Sequence, residues 1–236
     1  MSWHLGRMCG FDLETTGPDP ETARIVTACV VQCGGKQPTD SATWLTDVDG
    51  ETIPDEAAAI HGITTDRARA EGAPLAEAVA EIVAALTQVI ASGVPVVAMN
   101  ARYDITLLDR EARRFGVDPL PEGFPVVDPF VLDKRFDKYR RGSRKLTALC
   151  EHYEVPIGDA HSADADAIAA CRVAWRQGTR YRELSGLSLD NLHTAQVGWA
   201  AEQAASLQEY FRKKDPAAVV EGAWPLIPHQ QRGEQA

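Results

Sequence analysis

"GFDLETTG", residues Gly10–Gly17, sets Asp12 and Glu14 at the end of an apolar run and just ahead of a threonine–glycine turn. Residues two apart on a strand share a face, so the two carboxylates lie side by side and repel each other unless something positive sits between them. A metal ion would meet that need. The D-x-E spacing is weak on its own in a chain with 34 acidic residues, and a second copy stands at Asp49 and Glu51 in loop-like sequence. Asp12 and Glu14 differ in context. A strand, "MCGFDLE", delivers them, and Gly17 follows, where the backbone can approach a ligand closely.

Outward from this strand, "RIVTACVVQC" and "SATWLTD" read as two further strands separated by turn-rich segments, which predicts an antiparallel meander. Leu75, Val79, Ile82, Val83, Leu86 and Ile90 recur at helical spacing up to Gly93. A buried strand "VPVVAMN" is expected to lead into the helix "YDITLLDREARRFG". Beyond it lie a brief strand "PVVD", short helices around "KLTALCEHY", and a helix from about 162 to 177. Strands first, then alternating strand and helix, imply a mixed sheet with helices packed on it. From about residue 185 a long helical stretch and a Pro-containing tail form an extension. Leu189, Leu192, Trp199, Leu207, Tyr210 and Phe211 give it an apolar stripe that packs on its own domain or on a partner.

Two more segments carry chemistry. In "AMNARYDITLL", Asp104 opens a helix, where a carboxylate serves equally as a ligand or as an N-terminal charge, and Asn100 could be a plain turn residue. In "HSADADAIAACRVAW", His161 precedes Asp166, a spacing that "HGITTD" repeats at His61 and Asp66. The later pair leads into an apolar-periodic helix that can hold Asp166 rigidly. Asp164 sits about 200° around that helix and is expected to be solvated. Four carboxylates with no cysteine or histidine among the ligands favour Mg²⁺ or Mn²⁺ over zinc. Two such ions about 3.5–4 Å apart clamp an in-line displacement at phosphorus.

Composition narrows the classes. A chain of 236 residues holds one good-sized domain with an extension, or two small ones. Its net charge of −10 argues against coating nucleic acid through bulk electrostatics, but not against a nuclease with a local basic patch. Such a patch is offered by "DKRFDKYRRGSRK", where Arg140 and Arg141 are candidate phosphate contacts and Phe136 or Tyr139 could stack on a base. Five scattered cysteines without a C-x-x-C pair support neither a disulfide framework nor a thiolate zinc site. No apolar run approaches membrane-spanning length and no signal-peptide pattern precedes Asp12, so a cytoplasmic protein is expected.

The sequence resembles the DEDDh branch of the 3′–5′ exonucleases, the epsilon-type proofreading family. "FDLETTG", "NARYD" and "HSADAD" match its three motifs in order, and "IHGIT", "VVDPF" and "KLTALCEHY" add support over residues 7–180. Met99 stands where many members have His, and Tyr103 where Phe is commoner. The resemblance implies an RNase H-like α/β fold, with a mixed five-stranded sheet flanked by helices over residues 1–182 and a helical C-terminal extension over 183–236. It implies two Mg²⁺ (or Mn²⁺) ions held by Asp12, Glu14, Asp104 and Asp166, with Asp12 bridging and His161 as general base. Thr15 would meet the terminal 3′-OH, and Thr16, Asn100, Tyr103, Arg140 and Arg141 would complete the substrate-binding set. The expected substrate is the 3′ end of a single strand, DNA in preference to RNA, degraded to nucleoside 5′-monophosphates. RNA trimming, or a scaffold role beside a DNA polymerase, are the alternatives.

Overall fold

The computed structural model describes residues 2–156 and 162–229. Its five-stranded sheet has the order β3-β2-β1-β4-β5, built from β1 (Arg7–Thr15), β2 (Ile25–Gly34), β3 (Asp40–Leu45), β4 (Val96–Val97) and β5 (Val126–Val127). The first three strands form the expected antiparallel meander, whereas β4 pairs parallel to β1 and β5 parallel to β4. The mixed sheet flanked by helices is thus borne out. The helices are α1 (Asp55–His61), α2 (Thr65–Glu71), α3 (Leu75–Ala91), α4 (Ala101–Arg114), α5 (Pro129–Phe136), α6 (Leu146–His152), α7 (Ala163–Arg180), α8 (Arg182–Ser185) and α9 (Leu189–Arg212). Among the described residues, no helix is long and apolar enough to cross a membrane.

Strand β1 is central and covered on both faces, which explains its nearly continuous burial. Cys9, Phe11 and Leu13 point into the larger core with Leu75, Val79 and Ile82 of α3 and Ile105 of α4. Met8 faces the other way, onto Ala170, Cys171 and Ala174 of α7. By alternation Gly10, Asp12 and Glu14 share this second face. The strand pairing slips by one residue between Glu14 and Thr15, leaving Val26 as the extra residue of a bulge beside the acidic strand end.

Strands β4 and β5 hold two residues each, shorter than the apolar runs suggested, because the chain turns immediately into α4 and α5. Helices α1 and α2 lie in the segment that carried only the His61 and Asp66 spacing. Their end signals are plain: Gly62 adopts the left-handed C-cap conformation of α1, with φ 75°, and the Thr64 side chain accepts from Arg67 N at the start of α2.

The C-terminal extension packs on the same unit and closes the β5 edge. Gln196 of α9, fully buried, donates to Val126 O at 2.8 Å and accepts from Asp128 N at 2.8 Å, while His193 Nδ1 accepts from Val126 N at 3.2 Å. One side-chain amide stands in for the peptide of a missing sixth strand, so the edge offers no open ladder. Leu192 and Trp199 join the core, whereas Leu207 (39%), Tyr210 (56%) and Phe211 (44%) at the far end stay exposed. Gln196→Leu should cost about 2–4 kcal/mol, since it strands two buried backbone groups. A denaturant midpoint within error of wild type would show that the edge does not depend on this amide.

Candidate metal-dependent nuclease centre

Close packing of one helix assembles the site. A Cβ on Gly10 would lie 2.4 Å from Ala167 O, so only glycine lets α7 settle this closely on β1. Asp166 is the next residue back along α7, and this approach carries it to the strand end. Ligand oxygens of Asp12, Glu14 and Asp166 all lie within 4.8 Å of one another. Asp164 is exposed, as its position around the helix predicted.

Asp104 approaches this group from α4, and among the neighbouring carboxylates it acts most strongly on Asp12. It is 4% exposed, and its Oδ1 accepts from Leu13 N, between Asp12 and Glu14, at 3.2 Å. The start of α4 is fixed by Asp128 rather than by a side chain of its own. Asn100 adopts the left-handed conformation, φ 61° and ψ 47°, which asparagine tolerates better than most residues. Asp128 Oδ1 then accepts from Asn100 N at 3.0 Å and Phe130 N at 2.9 Å, and its Oδ2 from Ala101 N at 3.0 Å. The exposed Asn100 side chain makes no capping bond, so its structural part is the turn.

Crowding shows in the electrostatics. Burial, followed by Asp104, Glu14 and Asp166, holds the Asp12 carboxyl well above its ordinary range. Burial, then Asp166, pushes Glu14 up to about 7. Asp104 is also raised, chiefly by burial, against the pull of backbone hydrogen bonds from its own N–H and from Leu13. Among the described residues, no Lys or Arg pairs with Asp12, Glu14 or Asp104. An all-oxygen donor set that repels itself in this way fits a hard divalent cation.

A stability consequence follows from these shifts. A carboxyl raised in the folded state contributes stability that is present below its unfolded value and lost as pH rises through its folded value. His4, His61 and His193 are lowered by burial, and they oppose this trend only below the ordinary imidazole value. Cys33, lowered to about 7 chiefly by its hydrogen bond with Cys171, opposes the trend from about pH 7 upward, so the test uses Cys33→Ser. With EDTA its melting temperature should fall by about 3–6 °C between pH 6.5 and 8, and excess Mg²⁺ should suppress the fall. A flat or rising profile in EDTA would contradict the crowding.

The candidate substrate residues divide. Thr15 Oγ1 and the Tyr103 hydroxyl are 2.7 Å apart and both hydrogen-bond to Gly17 O, so the hydroxyl that phenylalanine would lack ties α4 to the turn after β1. Thr16 closes the base of the β1–β2 hairpin, its Oγ1 accepting from Arg24 N at 2.9 Å. His61 lies beside the Thr15 backbone, and its Nδ1 accepts from Ile63 N at 3.2 Å. His161 lies outside the described residues.

The basic segment needs correction. Arg140 is engaged inside the protein: it donates to Asp133 Oδ2 at 3.0 Å and to Ser143 O at 3.0 Å. Arg144 also pairs with Asp133, and Tyr153 donates to its second oxygen at 2.9 Å. A fully buried carboxylate needs such partners, so two of the arginines serve the fold. The same pairing accounts for Asp133, Asp137 and His152, whose ligand atoms also cluster within 4.8 Å, because guanidinium groups occupy the place a cation would take. Phe136 is likewise unavailable to a base, being stacked on Tyr181 at 5.1 Å and set edge-on to Trp199 at 5.5 Å. Arg141 and Tyr139 remain exposed.

Comparison with known proteins decides the family. The exonuclease family model matches residues 9–174, well over half of the chain and spanning all three motifs. The chain belongs to the exonuclease family. This is the family that the DEDDh motifs pointed to, and the fold is the RNase H-like one it implied. Among solved structures, Escherichia coli Exonuclease I in complex with a dT13 oligonucleotide is similar at 20% identity and TM-score 0.59, over 76% of this chain and 43% of that one. The zinc-bound form of the Exonuclease I–ssDNA complex gives 19% identity and TM-score 0.62, over 75% and 42%. The exonuclease chain thus spans less than half the length of Exonuclease I. No protein of curated description matches it.

Sequence reasoning missed Asp128 as the organiser of α4, and Gly10 as the residue that admits α7. Asp128 carried a signal in "VVDPF", since an Asp before Pro at a helix start is a capping pattern. The need for Gly10 could not be read, because Ala167 lies far away in sequence.

Proposed function

We propose that this protein is a divalent-cation-dependent 3′–5′ exonuclease that removes nucleoside 5′-monophosphates from a single-stranded end, DNA in preference to RNA. The observation that carries this reading is the convergence of Asp12, Glu14 and Asp166 within 4.8 Å, with buried Asp104 beside them. Exonuclease I, similar in fold, is known with oligonucleotides bound, which supports a single strand as substrate.

Asp12, Glu14, Asp104 and Asp166 would hold Mg²⁺ or Mn²⁺, with Asp12 shared between two sites. When bound, the ions supply positive charge at the scissile phosphate and a more acidic water. The chain's own residues do the rest. The turn of Thr15, Thr16 and Gly17, braced by Tyr103, presents backbone and hydroxyl groups to the terminal nucleotide. His161, assigned from its motif, takes the proton of the attacking water. Lys134 lines one cavity with Asn100 at the start of α4, and with the exposed Arg141 it takes the place of Arg140 as a phosphate contact.

A gel time course on matched DNA and RNA oligomers with 5′ labels, in Mg²⁺, Mn²⁺ or EDTA, tests the reading. A metal-dependent ladder shortening from the 3′ end, faster on DNA, is expected. Cleavage that persists in EDTA, or none on any substrate, would overturn it, and faster cleavage of RNA would reverse the sugar preference. The extension supports an enzyme over a scaffold, since the first half of its apolar stripe serves the fold of the exonuclease unit itself.

A further inference from the structure

The C-terminal tail runs along the helix that carries Asp104. Arg102 Nη1 donates to Glu221 O at 2.5 Å, Ile227 N donates to Thr106 Oγ1 at 3.1 Å, and Arg110 Nη2 donates to Ile227 O at 3.0 Å. Residues 102, 106 and 110 are successive turns of one face of α4. Midway, Trp224 is 6% exposed in the main core, and its Nε1 donates to Asp128 Oδ2 at 3.1 Å.

That last bond matters because of what Asp128 does. Its other three bonds come from the backbone of Asn100, Ala101 and Phe130, which are the starts of α4 and α5. Trp224 supplies the fourth, from almost a hundred residues away, and satisfies a carboxylate that is 1% exposed. Asp104 lies one turn into α4 from this cap and is clamped at its far side by Leu13 N. A shift of the first turn therefore moves Asp104 against Asp12.

We propose that the tail is a working part of the centre: Trp224 is a positioning residue that, through Asp128 and the first turn of α4, holds Asp104 in place for the cation. The assignment rests on the reading of the acidic cluster as a metal centre. It extends the functional unit beyond residue 174, where the family match ends, to a strap at 221–227.

The test uses the full chain with Mn²⁺ alone as probe, read by titration calorimetry, together with kcat, KM and melting temperature. Trp224→Phe keeps an aromatic ring and removes the donor. Thr106→Val keeps the shape and loosens the strap at its other end. Both should weaken Mn²⁺ binding, Trp224→Phe by about threefold, less than the roughly tenfold of losing a direct partner of a ligand, because Asp128 and the first turn of α4 stand between. The kcat should fall by more than KM rises, because the substrate-facing turn at Thr15 is untouched, whereas Trp224 lines the cavity that holds Asn100 and Lys134. If both variants bind Mn²⁺ and turn over like wild type while only the melting temperature drops, the tail is packing and the proposal fails. A wild-type chain that binds no Mn²⁺ would instead overturn the metal-centre reading, and this assignment with it.

Discussion

Asp12→Asn should lower exonuclease turnover by at least about a thousandfold, roughly 4 kcal/mol of transition-state stabilisation, and should at the same time raise the melting temperature in EDTA. Both effects come from one group. Asp12 is the residue on which Asp104, Glu14 and Asp166 all act, so it is central to any cation the cluster holds. Without the cation it is the most crowded charge in the site. An isosteric amide removes that charge, which should add about 1–2 kcal/mol to the metal-free chain, or about 2–8 °C at this size. Made in the Cys33→Ser chain, the same substitution should flatten the pH-dependent fall in EDTA. Activity assays and calorimetry check the two halves separately. A variant that retains turnover would remove Asp12 from the centre, while one that is inactive but less stable would mean that the carboxylates are not in conflict. Stability surrendered at a working site is a familiar trade.

Gly10→Ala is the second large effect. The new methyl would stand 2.4 Å from Ala167 O, and the contact is with backbone, which cannot rotate away. Helix α7 has to retreat by about 1 Å to restore an ordinary contact, and Asp166 moves with it. Overpacking of this kind costs about 1–3 kcal/mol. A misplacement of about 1 Å at a reacting centre can cost about a hundredfold in rate. The variant should therefore fold with a lowered melting temperature and lose activity out of proportion to its lost stability. Ile53→Ala provides the comparison, since Ile53 is 2% exposed in a separate cluster with Val26, Val48 and Ile63. It should be destabilised by about 2–5 kcal/mol yet keep its turnover at a temperature where it is folded. Equal activity in Gly10→Ala and wild type would show that α7 adjusts without moving Asp166.

Local patterns announced much of this molecule. Alternation and turn residues mark the meander, and the stripe from Leu75 to Leu86 marks α3, because burial against one face imposes a period on the sequence. The acidic strand end at Asp12 and Glu14 was legible for the same reason: a pair of carboxylates on one face conflicts with an apolar strand, and such conflicts gather at sites. Its neighbours Asp104 and Asp166 were legible as motif positions, and the helix period separated Asp166 from Asp164. In the basic run, Arg140 and Arg144 misled, because net charge in a segment carries no record of a buried partner. Asp133 could be recognised as that partner only once α5 and α6 were packed.

By itself, then, the sequence determined the order of the five strands and of the longer helices, and it singled out the four carboxylates as candidates, since each is written in residues close together along the chain. Only the tertiary structure decided which residues hold those carboxylates in place: Gly10 against Ala167, Asp128 beneath α4, Gln196 on the β5 edge and Trp224 on Asp128. These are single contacts between distant segments, made by hydrogen bonds and close packing that leave no period or spacing in the sequence. They exist only when the fold brings the two sides within a few ångströms.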